Sequence, residues 1–384
     1  MFNFDEIIDR RHTQCVKWDG LKDAFGREDL LPLWVADMDF KTPDFVIDAL
    51  RKRLDHEVLG YHLRPRSFFE AARDWLRRRN GWDVAVEELA FLPGIVPALS
   101  FAVHALSAPG DKILIQPPVY HPFRYAIENH GRQLVCNPLR EEDGLYSIDF
   151  EDFERKLASG VRMFILCNPH NPVGKVWSEA DLRRMGALCC KYKVLILSDE
   201  IHSDLIFKPH KHVHMAALSE ALAQNTLTFF APSKTFNLAG VFTSVAHSAN
   251  KELLQTLTRY MDKMHVAYGN IFGDIALEAA YTHGDAWLDA LLDYVSGNFD
   301  YVVQYLHDNV PGIKARRSEG TYLMWLDARG LGLTPEALQQ RVMEAGLGLN
   351  SGDMFGIEGA GFLRLNAATP RKHIETACAA LRTV

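Results

Sequence analysis

The 384-residue chain predicts an α/β fold, with a large domain built on a mostly parallel sheet and a smaller α+β domain. Three features carry that reading. Short, continuously apolar runs alternate with helical segments through the middle of the chain, the pattern of strands covered on both faces. Polar residues stand at or just past the carboxyl ends of several of those runs. From Val310 onward the register changes to an α+β pattern. A chain this long exceeds the size at which one hydrophobic core stops growing, so one large and one smaller domain are expected. The large domain is placed at 46–289 and the small one at 1–45 plus 290–384, with the junction inside a long helix near 285–310.

Taken in order, residues 1–45 read as an extended, aromatic-rich start. Leu31–Phe40 mixes a buried strand with Asp37 and Asp39, which share one strand face and read as turn carboxylates satisfied by backbone N–H groups. A helix follows over Thr42–Leu50, with Thr42 as its cap and Pro43 in its first turn. An amphipathic helix runs from Arg66 to before Asn80-Gly81. In F-L-P-G-I-V-P-A-L-S, Gly94 breaks the chain and a helix runs from about Pro97 to Leu106; the N–H groups exposed at such a start bind anions. Strands are expected at Ile113–Gln116, Gln133–Asn137, Met163–Cys167, Val194–Ser198 and Thr226–Phe230, with helices at Asp149–Ala158 and Glu179–Tyr192. Phe242–His247 follows Phe230 too closely for a crossover helix, so it should pair antiparallel. Lys251 to Leu306 is nearly all helical, and then come strands at Thr321–Asp327 and Gly361–Asn366 and helices at Thr334–Glu344 and Arg371–Leu381.

Composition narrows the function. With 42 basic against 49 acidic residues the net charge is -7, and no Lys/Arg block is present, which argues against nucleic-acid binding. No apolar run approaches a membrane span, and the start M-F-N-F-D-E lacks a secretory pattern, so a cytoplasmic location is expected. Six scattered cysteines, none in a metal-type pair, read as buried free thiols in a reducing cytoplasm. H-K-H-V-H (His210–His214) has no acidic or thiolate partner beside it in sequence; it reads as a solvated loop, and no metal is expected.

The segment A-P-S-K-T-F-N-L-A-G (Ala231–Gly240) places Lys234 just past the end of a buried strand, where ligand crevices open in α/β sheets. Asn171, Asp199 and His202 occupy comparable positions. Pyridoxal phosphate asks for such a set. It needs a lysine for the Schiff base, a carboxylate at the ring nitrogen, a donor to the phenolic oxygen, an anion cradle and an aromatic face. Asp199 fits the carboxylate, His202 could bear on the ring, Tyr120 or His121 could stack on it, and the helix start at Gly94 could hold the phosphate.

Several motifs give these positions a family setting: N-F-D, D-R-R-H-T-Q-C-V-K-W-D, L-P-L-W-V-A-D-M-D-F, S-D-E-I-H, S-K-T-F-N-L-A-G, N-x-F-G and R-L-N-A-A-T-P-R. Through them the chain resembles the fold-type I pyridoxal phosphate enzymes of the class I/II aminotransferase family, above all the MalY/PatB-type cystathionine β-lyases. The resemblance spans essentially the whole chain and implies a seven-stranded sheet in the large domain. It makes Lys234 the Schiff-base lysine, Asp199 the partner of the pyridine nitrogen and Asn171 that of the phenolic oxygen. Tyr120 becomes the residue stacked on the ring, and Gly94, Ile95, Val96 and Ser233 the phosphate-binding surface. Arg364 becomes the clamp on the substrate α-carboxylate, a role that suits a planar guanidinium. Tyr61 in G-Y-H would reach the neighbouring subunit's site, implying a homodimer with shared sites. Two departures stand out: His202 replaces a common tyrosine, and the frequent phosphate arginine eight residues after the lysine is Phe242, with Ala231 in place of a serine.

The reaction implied is α,β-elimination from L-cystathionine or a related L-cysteine S-conjugate, giving thiol, pyruvate and ammonia, with a place in methionine biosynthesis. An aminotransferase would use the same lysine, aspartate, asparagine and arginine. A regulatory protein retaining the cofactor site is a third reading.

Overall fold

The computed structural model describes residues 2–384. Seven strands form the principal sheet: β1 (Leu89–Leu92), β2 (Lys112–Ile115), β3 (Gln133–Cys136), β4 (Val161–Cys167), β5 (Leu195–Asp199), β6 (Thr226–Phe230) and β7 (Ser244–His247). Their order is β1-β7-β6-β5-β4-β2-β3. Only β7 runs antiparallel to its neighbours, as the short Phe230–Phe242 link requires. Every residue of β1, β5, β6 and β7 is buried, the polar Thr226 and Thr228 of β6 and Ser244 and His247 of β7 included, so both faces of these strands are covered.

A second sheet follows the 25-residue helix Asp285–Asn309. It comprises β8 (Lys314–Ala315), β9 (Leu323–Asp327), β10 (Asn350–Ser351) and β11 (Phe362–Asn366), in the antiparallel order β8-β9-β11-β10. The N-terminal segment joins this half of the chain through Leu31–Pro32, which pairs in parallel with Leu347–Gly348. All six cysteines are free, but only Cys167, Cys189 and Cys378 are buried, and Cys190 is exposed on the outer face of its helix; no helix among the described residues is long and apolar enough to cross a membrane.

The structure corrects three local expectations. The helix expected from Thr42 begins at Asp44, because Pro43 is extended at the N-cap position and holds Thr42 outside it. The helix after Gly94 starts at Ile95, two residues earlier than expected. Within Leu31–Phe40 only Leu31–Pro32 is strand; the rest is a bent strap. Asp37 and Asp39 in that strap are satisfied by cations. Arg10 donates to Asp37 at 2.7 Å and to Asp39 at 2.8 Å, and the fully buried Lys17 reaches Asp39 at 2.6 Å. Burial alone would raise Asp39, but Lys17 and Arg10 hold its pKa down at about 2.

Candidate active site

The parallel strands put their carboxyl ends on one edge of the sheet, and that edge gathers the candidate residues. Asp199 is the last residue of β5. Asn171 follows the end of β4, Tyr120 follows β2, and Lys234 sits in the short helix Pro232–Thr235 after β6. Gly94 follows β1 and opens the helix Ile95–Leu106. Its φ of +135° is one that a side-chain-bearing residue rarely adopts, and the turn leaves the first N–H groups of that helix without intrahelical acceptors. Arg364 comes from the other sheet, on β11 between Trp325 of β9 and Asn350 of β10.

Around this edge the electrostatics are those of a site short of partners. Burial pushes the Lys234 amine down to about 8, and Nζ donates to the carbonyl of Ala36 at 2.6 Å. Asp199 is 4% exposed and accepts one backbone N–H, from Ile201 at 3.1 Å. Burial raises its pKa to about 7, so this carboxyl holds a proton or a cationic N–H readily at neutral pH. His202 is buried and neutral, kept well below the usual histidine range by burial and by the charges of Lys234 and Arg364, and its Nδ1 has no partner.

Arg364 is buried at 5% exposure, yet its three acceptors are all neutral. Asn171 Oδ1 lies at 3.0 Å, Asn350 Oδ1 at 2.7 Å and the Trp34 carbonyl at 2.9 Å, while Nε has no partner. Desolvation draws its pKa down to about 10. A guanidinium buried without an anion costs stability, and such an arrangement is retained where an anion is meant to arrive. Tyr120 stands nearby, its phenol raised by burial, and His121 beside it is pulled down to about 4 by burial.

The strap 34–40 closes one side, its carbonyls taken up by side chains. Asn366 Nδ2 donates to Val35 at 2.7 Å and to Asp37 at 2.5 Å, and Asn237 Nδ2 to Met38 at 3.0 Å and Phe40 at 3.1 Å. Tyr61, by contrast, is fully exposed, as is Leu63 beside it, while the alternate residues His62 and Arg64 turn inward to Asp274 at 3.0 and 3.1 Å. The clamp at Asp274 thus presents Tyr61 outward.

The family model for aminotransferase class I and II matches residues 28–381. The chain belongs to that family. Within it the chain falls in the MalY/PatB-type branch. It is 44% identical over 367 residues to cystathionine β-lyase PatB of Bacillus subtilis (strain 168), covering 95% of each chain. It is 31% identical to protein MalY of Escherichia coli (strain K12), covering 99% of this chain and 98% of that one. Its fold superposes on cystalysin from Treponema denticola, whose crystal structure contains a pyridoxal 5'-phosphate cofactor, with a TM-score of 0.97 and 34% identity over 100% of this chain and 98% of that one. The seven-stranded sheet and smaller α+β half are those of the fold-type I enzymes.

Sequence reasoning missed several residues that border the site. Ala36 and Asn366 lie inside the motifs L-P-L-W-V-A-D-M-D-F and R-L-N-A-A-T-P-R without being singled out there, Asn350 lies in no motif, and Tyr322 falls in the expected strand Thr321–Asp327 with no role assigned. The reading of H-K-H-V-H as a solvated loop is also overturned. His212 and His214 are buried side chains that bond Glu200: His212 Nε2 at 2.9 Å and His214 through Nδ1. Their ligand atoms lie within 4.8 Å of one another, a spacing that could hold a metal ion. The carboxylate, however, also accepts from Ser198 Oγ at 2.6 Å and Met215 N at 3.2 Å. The second nitrogens, His212 Nδ1 and His214 Nε2, lack the acceptor that a metal-bound imidazole ordinarily has. The cluster is therefore a hydrogen-bonded buried anion, and these bonds hold Glu200 well below the usual carboxylate range despite its burial.

Proposed function

We propose that this protein is a carbon–sulfur β-lyase that eliminates a thiol from L-cystathionine or a related L-cysteine S-conjugate, releasing pyruvate and ammonia. The observation that carries the reading is Arg364. It is a buried guanidinium with only neutral partners, set beside an amine of depressed pKa and a carboxyl that readily holds a proton. An α-amino acid supplies the missing anion through its carboxylate.

The cofactor is pyridoxal 5'-phosphate, and the residues fit it. Lys234 would anchor it, Asp199 would face the ring nitrogen and Asn171 the phenolic oxygen, with Tyr120 and His202 against the ring. Gly94, Ile95, Val96 and Ser233 would hold the phosphate together with Tyr61 of a second copy. Phe242 is 64% exposed and brings no charge there, so backbone N–H groups carry that role. When bound, the cofactor supplies an electron-withdrawing ring conjugated to the substrate amine. Arg364 binds the α-carboxylate in its fork and turns the Cα–H bond toward Lys234. Lys234 Nζ takes the α-proton, a task suited to an amine whose pKa lies near 8. Asp199 would keep a proton at the ring nitrogen, the thiolate leaves from Cβ, and the aminoacrylate released takes up one water to give pyruvate and ammonia.

A lyase is favoured over a dicarboxylate transaminase by the arginine inventory. Arg10 is committed to Asp37 and Asp39, and Arg364 is the buried arginine left without an anion among the charged groups of the site. The outward Tyr61 supports a homodimer with shared sites, and the long helix Asp285–Asn309 supports the division into domains at 289/290. The test is incubation with L-cystathionine in the absence of any keto acid. Multiple turnovers yielding both thiol and pyruvate are expected. Conversion that stops after one cofactor equivalent and resumes with added keto acid would identify a transaminase. An unchanged spectrum across a panel of amino acids would point to a binding role.

A further inference from the structure

Lys234 and Tyr322 meet on a single oxygen. The Ala36 carbonyl accepts from Lys234 Nζ at 2.6 Å and from the Tyr322 hydroxyl at 2.7 Å. We propose that Tyr322 and the Ala36 carbonyl form a dock for the free amine of Lys234, with Tyr322 as the positioning residue that fixes where the amine rests and how tightly it holds its proton. This rests on the reading of Lys234 as the base.

Four observations support a built device. Tyr322 is 1% exposed, and its hydroxyl donates to no acceptor but Ala36. The acceptor cannot drift, because Asn366 holds the carbonyls on either side of it, Val35 and Asp37, and Arg364 holds that of Trp34. Thr321, immediately before Tyr322, has a φ of +69°, a left-handed conformation that a β-branched residue rarely adopts. Such backbone persists where the surrounding structure enforces it, and here it aims the tyrosine. Finally, the Tyr322 ring meets His202 edge-on at 6.0 Å, so the ring lies where the core borders the site.

The chemistry follows from sharing. A carbonyl oxygen that already accepts from a phenol is a weaker acceptor for an ammonium group. The phenol thereby favours the neutral amine, the form that can take an α-proton. Burial acts in the same direction on Lys234, and Tyr322 itself stays protonated, since burial raises its phenol well above the usual tyrosine range. The other groups facing Lys234 are Asp37 and Asp199, which favour the charged amine, Arg364, which opposes it, and His202, which burial keeps neutral.

Tyr322→Phe keeps the ring and removes only the donor. In cofactor-free protein, the pH dependence of Lys234 acetylation, read by peptide mass spectrometry, should move upward by about half a pH unit, because the carbonyl then serves the ammonium alone. In the loaded enzyme the same variant should lower kcat with little change in KM and raise the isotope effect of α-deuterated substrate. A purely structural tyrosine would leave both the acetylation midpoint and the isotope effect where they were; constancy of either would overturn the proposal. The acetylation readout needs no turnover, so a protein that proves not to be a lyase would still show the shift.

Discussion

Arg364→Lys is the substitution that most sharply separates anchoring from architecture. The guanidinium gives N–H bonds to Asn171, Asn350 and Trp34, keeps Nε unpartnered, and presents its charge to the site without an anion of its own. A carboxylate docking on a guanidinium fork gains charge-assisted hydrogen bonds, each worth about 1.5–3 kcal/mol net. An ammonium at this position keeps the charge but loses the planar fork, so roughly 3 kcal/mol of transition-state binding should go, about a hundredfold in kcat/KM. The assay compares L-cystathionine with its α-carboxamide. Wild-type protein should strongly prefer the acid, and the variant should lose that preference while handling the amide nearly as before. An equal loss on both substrates would refute the clamp and make Arg364 a scaffold residue. Arg364→Met should melt close to wild type, since it removes a desolvated charge that no anion compensates.

Asp39→Ala should behave in the opposite way, costing about 3 kcal/mol of stability in urea unfolding because it strips the buried Lys17 of its nearest anion; an unchanged midpoint would contradict the ion-pair assignment. Stability should also fall on acidification. The folded values of His121, His170, His202, His212 and His247 lie below the usual 6.5, so protons favour the unfolded chain once pH drops past that value; Asp199 and Asp204, raised by burial, act in the opposite direction but are fewer. The contribution of Asp39, fully present above its ordinary 3.8, is lost as pH falls through about 2. Urea midpoints at pH 7, 5 and 3.5 should decline in that order, and a flat series would count against it. Mixing Tyr61→Ala with Lys234→Ala should restore activity that neither variant has alone, because one hybrid site is then whole; no recovery after subunit exchange would argue against shared sites.

Much of this arrangement is legible in the sequence for local reasons. Thr226–Phe230 is T-L-T-F-F, rich in β-branched and aromatic residues, and the strand occupies those residues with no shift. Once the strands are located, Asp199 and Lys234 fall at their carboxyl ends by counting, and a parallel sheet brings such ends to one edge. What stays hidden depends on contacts between distant segments. The acceptor for Lys234 is a backbone carbonyl 198 residues away, and Tyr322 lies 286 residues from the same atom. No residue type announces a carbonyl. Asp37 and Asp39 look like turn carboxylates because Arg10 and Lys17 stand on an earlier segment. H-K-H-V-H looks solvated because its partner Glu200 lies 12 residues before His212 and 14 before His214. Polarity in a short window reports what a residue prefers, and burial depends on what the fold packs over it.

In the mechanism proposed above, the cofactor is bound through the amine of Lys234. Borohydride reduction of the protein loaded with pyridoxal 5'-phosphate, followed by proteolysis and peptide mapping, tests it directly. A single pyridoxyl label is expected on the peptide containing Ser233, Lys234 and Thr235, and none on that peptide from Lys234→Ala. A label on any other lysine, or none, would contradict it.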